Sequence, residues 1–151
     1  MNILFYRYNS IYENAIISAW KQMGYQITEI TEEMTNKSLL PKEQLLLVSE
    51  ALKAAHYDFV FSINYFPVIS EVCNIFRLPY ACWIVDSPVL ELYSESIYRK
   101  WNRIFLFDHA LYEEFAPKNP DCIFYLPLAS DFSTLAPICE QISPEDISRY
   151  G

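Results

Sequence analysis

With 151 residues, 52% of them hydrophobic, 17% aromatic and 20% charged, the chain has the composition of one compact domain with a real core. Eleven Lys and Arg against 19 Asp and Glu give a net charge of −8, which argues against a nucleic-acid backbone or an anionic membrane surface as partner. Only two glycines, Gly24 and Gly151, stand beside nine prolines, so the three-glycine dinucleotide fingerprint and the P-loop are both missing.

The first apolar run, at 3–8, predicts a strand, and no basic region or long apolar stretch of a secretory signal accompanies it. Ser10 is a candidate N-cap for a helix whose Ile11, Ala15, Ile16, Ala19, Trp20 and Met23 form one stripe. Gly24 stands where a left-handed residue closes a helix. A second strand is expected at 25–30, followed by a polar, loop-like connection over 31–40. Pro41 fits the first turn of a second helix, with Leu45, Val48, Leu52 and Ala55 inward and Glu43, Glu50 and Lys53 outward.

A third strand at 57–64 leads through Pro67 into a helix over 68–76, and a fourth strand at 80–85 precedes a short helix after Pro88. The fifth strand, 103–107, is followed by a helix over 109–115 ahead of Pro117, and the sixth lies at 122–126. These runs are short, β-branched or aromatic, and apolar on both faces, as strands are when helices cover both sides of a parallel sheet. The alternation predicts a doubly wound, mainly parallel six-stranded Rossmann-like α/β domain in three α/β/α layers, most simply with strand order 3-2-1-4-5-6. The domain is expected to occupy 1–131. Residues 132–151, with Pro137, Pro144 and several acids, read as a linker or tail toward a further domain.

No run approaches the roughly 20 apolar residues of a membrane span. Cys73, Cys82, Cys122 and Cys139 form no C-x-x-C pair and have no His at zinc-ligand spacing, so buried free thiols in a reducing cytoplasm are expected.

Ligands of open α/β sheets bind beyond the carboxyl ends of the strands, and polar residues collect at those ends here. Asn9 follows the first strand, Asn64 and Tyr65 the third, Asp86 and Ser87 the fourth, Asp108 and His109 the fifth, and Ser130 the sixth. Asp86 is a candidate general base or hydroxyl acceptor, with a helix N-cap as the plainer reading, and Asp108 divides the same way. His109 beside Asp108 is a candidate for proton transfer, with a surface group at a helix start as the plainer reading. The Asn64 amide either binds a sugar hydroxyl or holds its own turn. Tyr65 and Phe66 offer either an apolar platform for a flat ligand or ordinary core packing. A hydrolase lacks its nucleophile motif, and Arg7, Tyr8 and Asn9 stand where a phosphoacceptor fold carries paired acids.

Three segments carry a resemblance: Asn2-Ile3-Leu4-Phe5-Tyr6-Arg7-Tyr8, the run from Tyr57 through Asn64 to Pro67, and Trp83-Ile84-Val85-Asp86-Ser87-Pro88. With Asn102-Arg103-Ile104-Phe105-Leu106-Phe107-Asp108, they resemble the amino-terminal domain of bacterial CgeB-like, spore-maturation-type glycosyltransferases. The resemblance implies a GT-B enzyme: two Rossmann-like domains, with the nucleotide-sugar donor held mainly by a carboxyl-terminal domain and the acceptor by this one. It would account for the missing glycine loop. It implies a domain inactive alone, with Asp86 or His109 as candidate base and neither metal nor cofactor required on this half. The alternative is a stand-alone Rossmann-like module that binds a ligand or protein at the same rim without catalysis.

Overall fold

The computed structural model describes residues 1–37 and 39–129. The expected linker, together with Ser130 and Cys139, lies outside these residues. Six parallel strands, β1 (Asn2–Tyr6), β2 (Gln26–Ile30), β3 (Phe59–Ile63), β4 (Tyr80–Ile84), β5 (Asn102–Leu106) and β6 (Ile123–Tyr125), form one sheet. Each falls within two residues of its expected bounds. The helices are α1 (Glu13–Gln22), α2 (Glu32–Thr35), α3 (Pro41–Ala54), α4 (Pro67–Phe76) and α5 (His109–Phe115), and three short 3-10 turns cover Leu90–Tyr93, Glu95–Tyr98 and Ala116–Lys118.

The class is the expected Rossmann-like one, but the strand order is 2-1-3-4-5-6 rather than 3-2-1-4-5-6. The cause lies in the two candidate edges. In β2, Gln26 and Thr28 are exposed and Glu29 is half-buried, so this strand tolerates a free side. In β3 Val60, Ser62 and Ile63 are wholly buried and Phe61 nearly so, which requires neighbours on both sides: β1 on one and β4 on the other.

This order also decides which face each helix covers. Ile17 of α1 packs with Ile3, Phe5, Phe61, Ile63 and Trp83 on one face. On the other, Val48 of α3, Ile69, Val72 and Cys73 of α4 and Phe115 of α5 pack over Leu4, Val60, Cys82, Ile84, Ile104 and Leu106. Because β3 through β6 advance in one direction across the sheet, right-handed crossovers put every later helix on that second face. Both helical layers are therefore present, and among the described residues the α1 layer is a single helix.

Three local expectations are corrected. Helix α1 begins after Tyr12, not Ser10, and Ile11 is 87% exposed. The buried side of α1 is Glu13, Ile16, Ile17 and Trp20, turned from the expected stripe because Glu13 enters the interior to meet Arg7. The connection over 31–40 contains α2, which brings Glu33 back to the sheet. In α3 the inward residues are Leu47, Val48, Ala51 and Leu52, whereas Leu45 and Ala55 are exposed. Pro41 does open α3, and the Glu43 carboxylate accepts the Leu40 N–H at 2.8 Å. Gly24 closes α1 with φ +83°, as expected.

Candidate functional site

The strand order reverses between β1 and β3, and it is at the carboxyl end of this pair that a doubly wound sheet opens a crevice. Asn64, the first residue past β3, takes φ +57°, a left-handed conformation that asparagine adopts more readily than most side chains. The turn aims its carboxamide sideways along the strand ends. Oδ1 accepts the Val85 N–H at 3.0 Å, which fixes which end of the amide is oxygen. The nitrogen Nδ2 consequently faces outward, donating to the Tyr8 hydroxyl at 2.9 Å and to the Asp86 carboxylate. Asn64 thus ties together the ends of β1, β3 and β4.

Asp86 is exposed, and it does not cap a helix: the 3-10 turn that follows starts after Val89. Its carboxylate therefore stands at the rim with one oxygen held by Asn64. Burial pushes the Tyr8 phenol above its ordinary pKa, and the Asp86 charge adds to this, so the phenol remains a neutral hydroxyl. The Lys37 ammonium lies 5.5 Å from the centre of the Tyr8 ring and donates to the Tyr8 carbonyl.

The floor beneath is built from a buried hydroxyl chain. Ser62 Oγ donates to the Asn64 carbonyl at 2.7 Å and sits 2.6 Å from the Tyr80 hydroxyl, which accepts the Phe66 N–H at 3.0 Å. With the Ser62 proton committed to Asn64, the Tyr80 hydroxyl is the donor in their pair. This chain fixes the backbone that presents Phe66, whose ring meets Tyr6 and Tyr8 edge-on at 5.1 and 5.7 Å. On the far wall, Glu33 accepts from the Tyr6 hydroxyl and from Gln44 Nε2. The result is a cleft of about 530 Å³ lined by Tyr8, Glu33, Gln44, Asn64, Phe66 and Asp86, among others. Chemically it offers carboxylates, amides, hydroxyls and ring faces, a set suited to hydroxyl-rich ligands.

Of the expected site residues among those described, Asn64 and Asp86 are brought together, Tyr65 reaches only the wall, and Asn9, Ser87, Asp108 and His109 lie outside the cleft. Tyr65 is only 1% exposed, and its hydroxyl pairs with Ser96 Oγ at 2.7 Å, so its ring belongs to the core and it meets the cleft only at the wall. Asp108 is the N-cap of α5, accepting from the Ala110 and Leu111 N–H groups at 2.8 and 3.1 Å. His109 is 64% exposed, stands 3.5 Å from Glu113 and packs on Tyr112 and Tyr125, and it does not line the cleft. Asn9, at φ +75°, and Ser87 are exposed near the rim, outside the cleft wall. Glu33 and Gln44 were not anticipated. The first sits in a segment that reads as loop, and the second carries a helix-face spacing that says nothing of its distant partner.

Cys73, Cys82 and Cys122 are free and buried, as expected. Among the described residues no cluster of three His, Cys, Asp or Glu side chains gathers to hold a metal ion, and no helix is long and apolar enough to cross a membrane. Compared with known protein families and with characterised proteins, the chain matches no family model and no curated sequence.

Proposed function

We propose that this chain is the acceptor-side half of a nucleotide-sugar-dependent glycosyltransferase of the GT-B type, with Asp86 as the base that receives the acceptor proton. The observation that carries the reading is the Asp86 carboxylate fixed by Asn64 at the mouth of a cleft lined with hydroxyls, amides and aromatic rings. Its position at the strand-order reversal supports it. So does the absence of a glycine-rich phosphate loop, since the donor's diphosphate then needs another domain.

In this reading an acceptor hydroxyl lies against Asp86 with its sugar ring over Phe66 or Tyr8. The hydroxyl oxygen bonds to the anomeric carbon as the bond from that carbon to the nucleoside diphosphate breaks, the electron pair leaving with the phosphate oxygen. The proton passes to Asp86. Asn64 positions the carboxylate through its Nδ2 donor, and the phenol of Tyr8 is a further hydrogen-bonding group for the sugar.

The test is a titration of the chain with neutral mono- and disaccharides and, separately, with a nucleoside diphosphate, followed by amide NMR. A saccharide is expected to shift the Asn64, Phe66 and Asp86 resonances, Asp86→Asn to weaken that binding about tenfold, and the nucleotide to leave them unmoved. Nucleotide binding in this cleft, or no saccharide response at millimolar concentration, overturns the reading.

A further inference from the structure

On the face of the sheet that carries α1, that helix covers β1 and β3 and reaches Trp83 of β4, and no other helix among the described residues lies over the rest of the face toward β6. The result is a groove of about 650 Å³ beside α1, walled by Trp20, Phe59, Phe61, Ala81, Trp83 and Phe105. It runs along the strands. Leu126 borders it past the carboxyl end of β6, and Asp58, Pro79 and Arg103 border it at the amino ends of β3, β4 and β5. An apolar surface of this kind is costly to leave in water and asks for an occupant.

We propose that the occupant is the chain's own segment 135–142, seated as a helix antiparallel to the strands and extending the α1 layer over the rest of the sheet. The sequence carries the pattern such a helix needs: Leu135, Ile138, Cys139 and Ile142 follow the i, i+3, i+4, i+7 spacing of one apolar side, while Glu140 and Gln141 fall on the other. Thr134 suits the N-cap, and Pro137 then falls at the third helical position, where its missing N–H has no intrahelical partner to lose. Ser143-Pro144 marks the stop.

The reach is sufficient. Five residues, 130–134, separate Ala129 from the segment and span up to about 17 Å when extended. Eight helical residues measure about 12 Å against about 17 Å for a five-residue strand, so the helix lies within the length of the groove. The chain already turns toward this face: Leu126 lines the groove, and its carbonyl accepts the Trp83 indole N–H at 3.3 Å. Charge agrees as well. A helix laid antiparallel to the strands ends near Arg103, which has no carboxylate partner among the described residues, and a cation suits the carbonyl end of a helix.

The test is hydrogen exchange, read peptide by peptide by mass spectrometry, on the full chain and two variants. In the unaltered chain, amides of 138–142 are expected to exchange at least tenfold more slowly than an unstructured peptide of the same sequence. Ala81→Arg, which fills the groove floor, and Ile138→Asp, which alters the segment alone, are each expected to abolish that protection while β1 and β3 stay protected. Should Ala81→Arg also loosen the sheet, the Ile138→Asp comparison decides. Random-coil exchange of 138–142 in the unaltered chain overturns the proposal, as does protection that both variants retain. Protection that rises with protein concentration also overturns it, because a second copy is then the occupant.

Discussion

The guanidinium of Arg7 and the carboxylate of Glu13 form an ion pair between the end of β1 and the first turn of α1, Nε to Oε2 at 3.0 Å, with Glu13 wholly enclosed. The other Glu13 oxygen accepts the Tyr8 N–H at 2.9 Å, so one carboxylate secures both the cation and the turn that leads to the cleft. Glu13→Ala leaves a largely buried guanidinium short of one partner and an amide without an acceptor. The expected cost is about 3 kcal/mol in urea unfolding. Glu13→Gln keeps the shape and the amide contact and is expected to cost less. The double replacement Arg7→Met with Glu13→Leu is expected to be more stable than Glu13→Ala, because no charge is then stranded. A cost below about 1 kcal/mol for Glu13→Ala would mean that water replaces the pair.

Glu29 makes the same cluster sensitive to acid. Burial opposes its charge, but hydrogen bonds and attraction from Arg7 and Lys21 outweigh this and hold its carboxyl below the ordinary 4.5. A depressed carboxyl pKa contributes stability that is present above the ordinary value and lost as pH falls through the lower folded one. Glu29→Gln is therefore expected to lower Tm at neutral pH and to approach the parent chain in strong acid. Equal gaps at both pH values would refute the linkage.

The elements were legible in the sequence where burial is simple. Strands β1, β3 and β4 are enclosed on both sides and read directly as apolar runs, and α5 lies between Asp108 and Pro117 as expected. The strand order was legible in principle, because Gln26, Thr28 and Glu29 mark β2 as an edge, but a pattern of alternation does not weigh one strand against another. The stripe of α1 was misread because Glu13 is polar and buried, and only its partner, six residues earlier, explains that. At the cleft, the rule of carboxyl strand ends located Asn64 and Asp86. Glu33 and Gln44 depend on a meeting of α2 with α3 that local spacing does not encode.

Asn64 combines a backbone requirement with a side-chain one, and three substitutions separate them. Asn64→Gly accepts φ +57° but leaves the Val85 N–H and the Tyr8 and Asp86 oxygens without this partner. Asn64→Ala loses the same contacts and adds left-handed strain, so it is expected to be less stable than Asn64→Gly by about 1 kcal/mol. Asn64→Asp retains an acceptor for Val85 but sets a second carboxylate against Asp86, so its deficit is expected to shrink in acid. Urea unfolding of the three at pH 7 and pH 4 checks the order. Equal stability of the Gly and Ala forms would contradict the backbone argument.

Cys73 and Cys82 are expected to be chemically silent in the folded chain. Burial alone pushes the Cys73 thiol up to about 12 and the wholly enclosed Cys82 thiol well above its ordinary value, so almost no thiolate exists at pH 8. Peptide mapping after treatment with an aromatic disulfide reagent should find both unmodified in buffer and modified in urea. Modification of either in the folded chain, at a rate independent of urea, would contradict their enclosure.

Tyr80 gives the sharpest test of the hydroxyl chain under the cleft. Its ring lies in the core, and Tyr80→Phe keeps nearly all of that packing. What is lost is one oxygen, and with it the acceptor for the Phe66 N–H and the donor to Ser62 Oγ. Ser62 can keep its bond to the Asn64 carbonyl, but the Phe66 N–H is left facing an apolar edge. The expected cost is about 1–3 kcal/mol, the range for a buried group deprived of its partner. A second readout separates this loss from general loosening: the Phe66 amide should exchange faster while amides of β1 and β5 keep their protection. Because Phe66 walls the cleft, the same variant is expected to weaken any ligand seated there without altering Asp86. Unchanged stability and unchanged Phe66 exchange would mean that water takes over the place of the phenol.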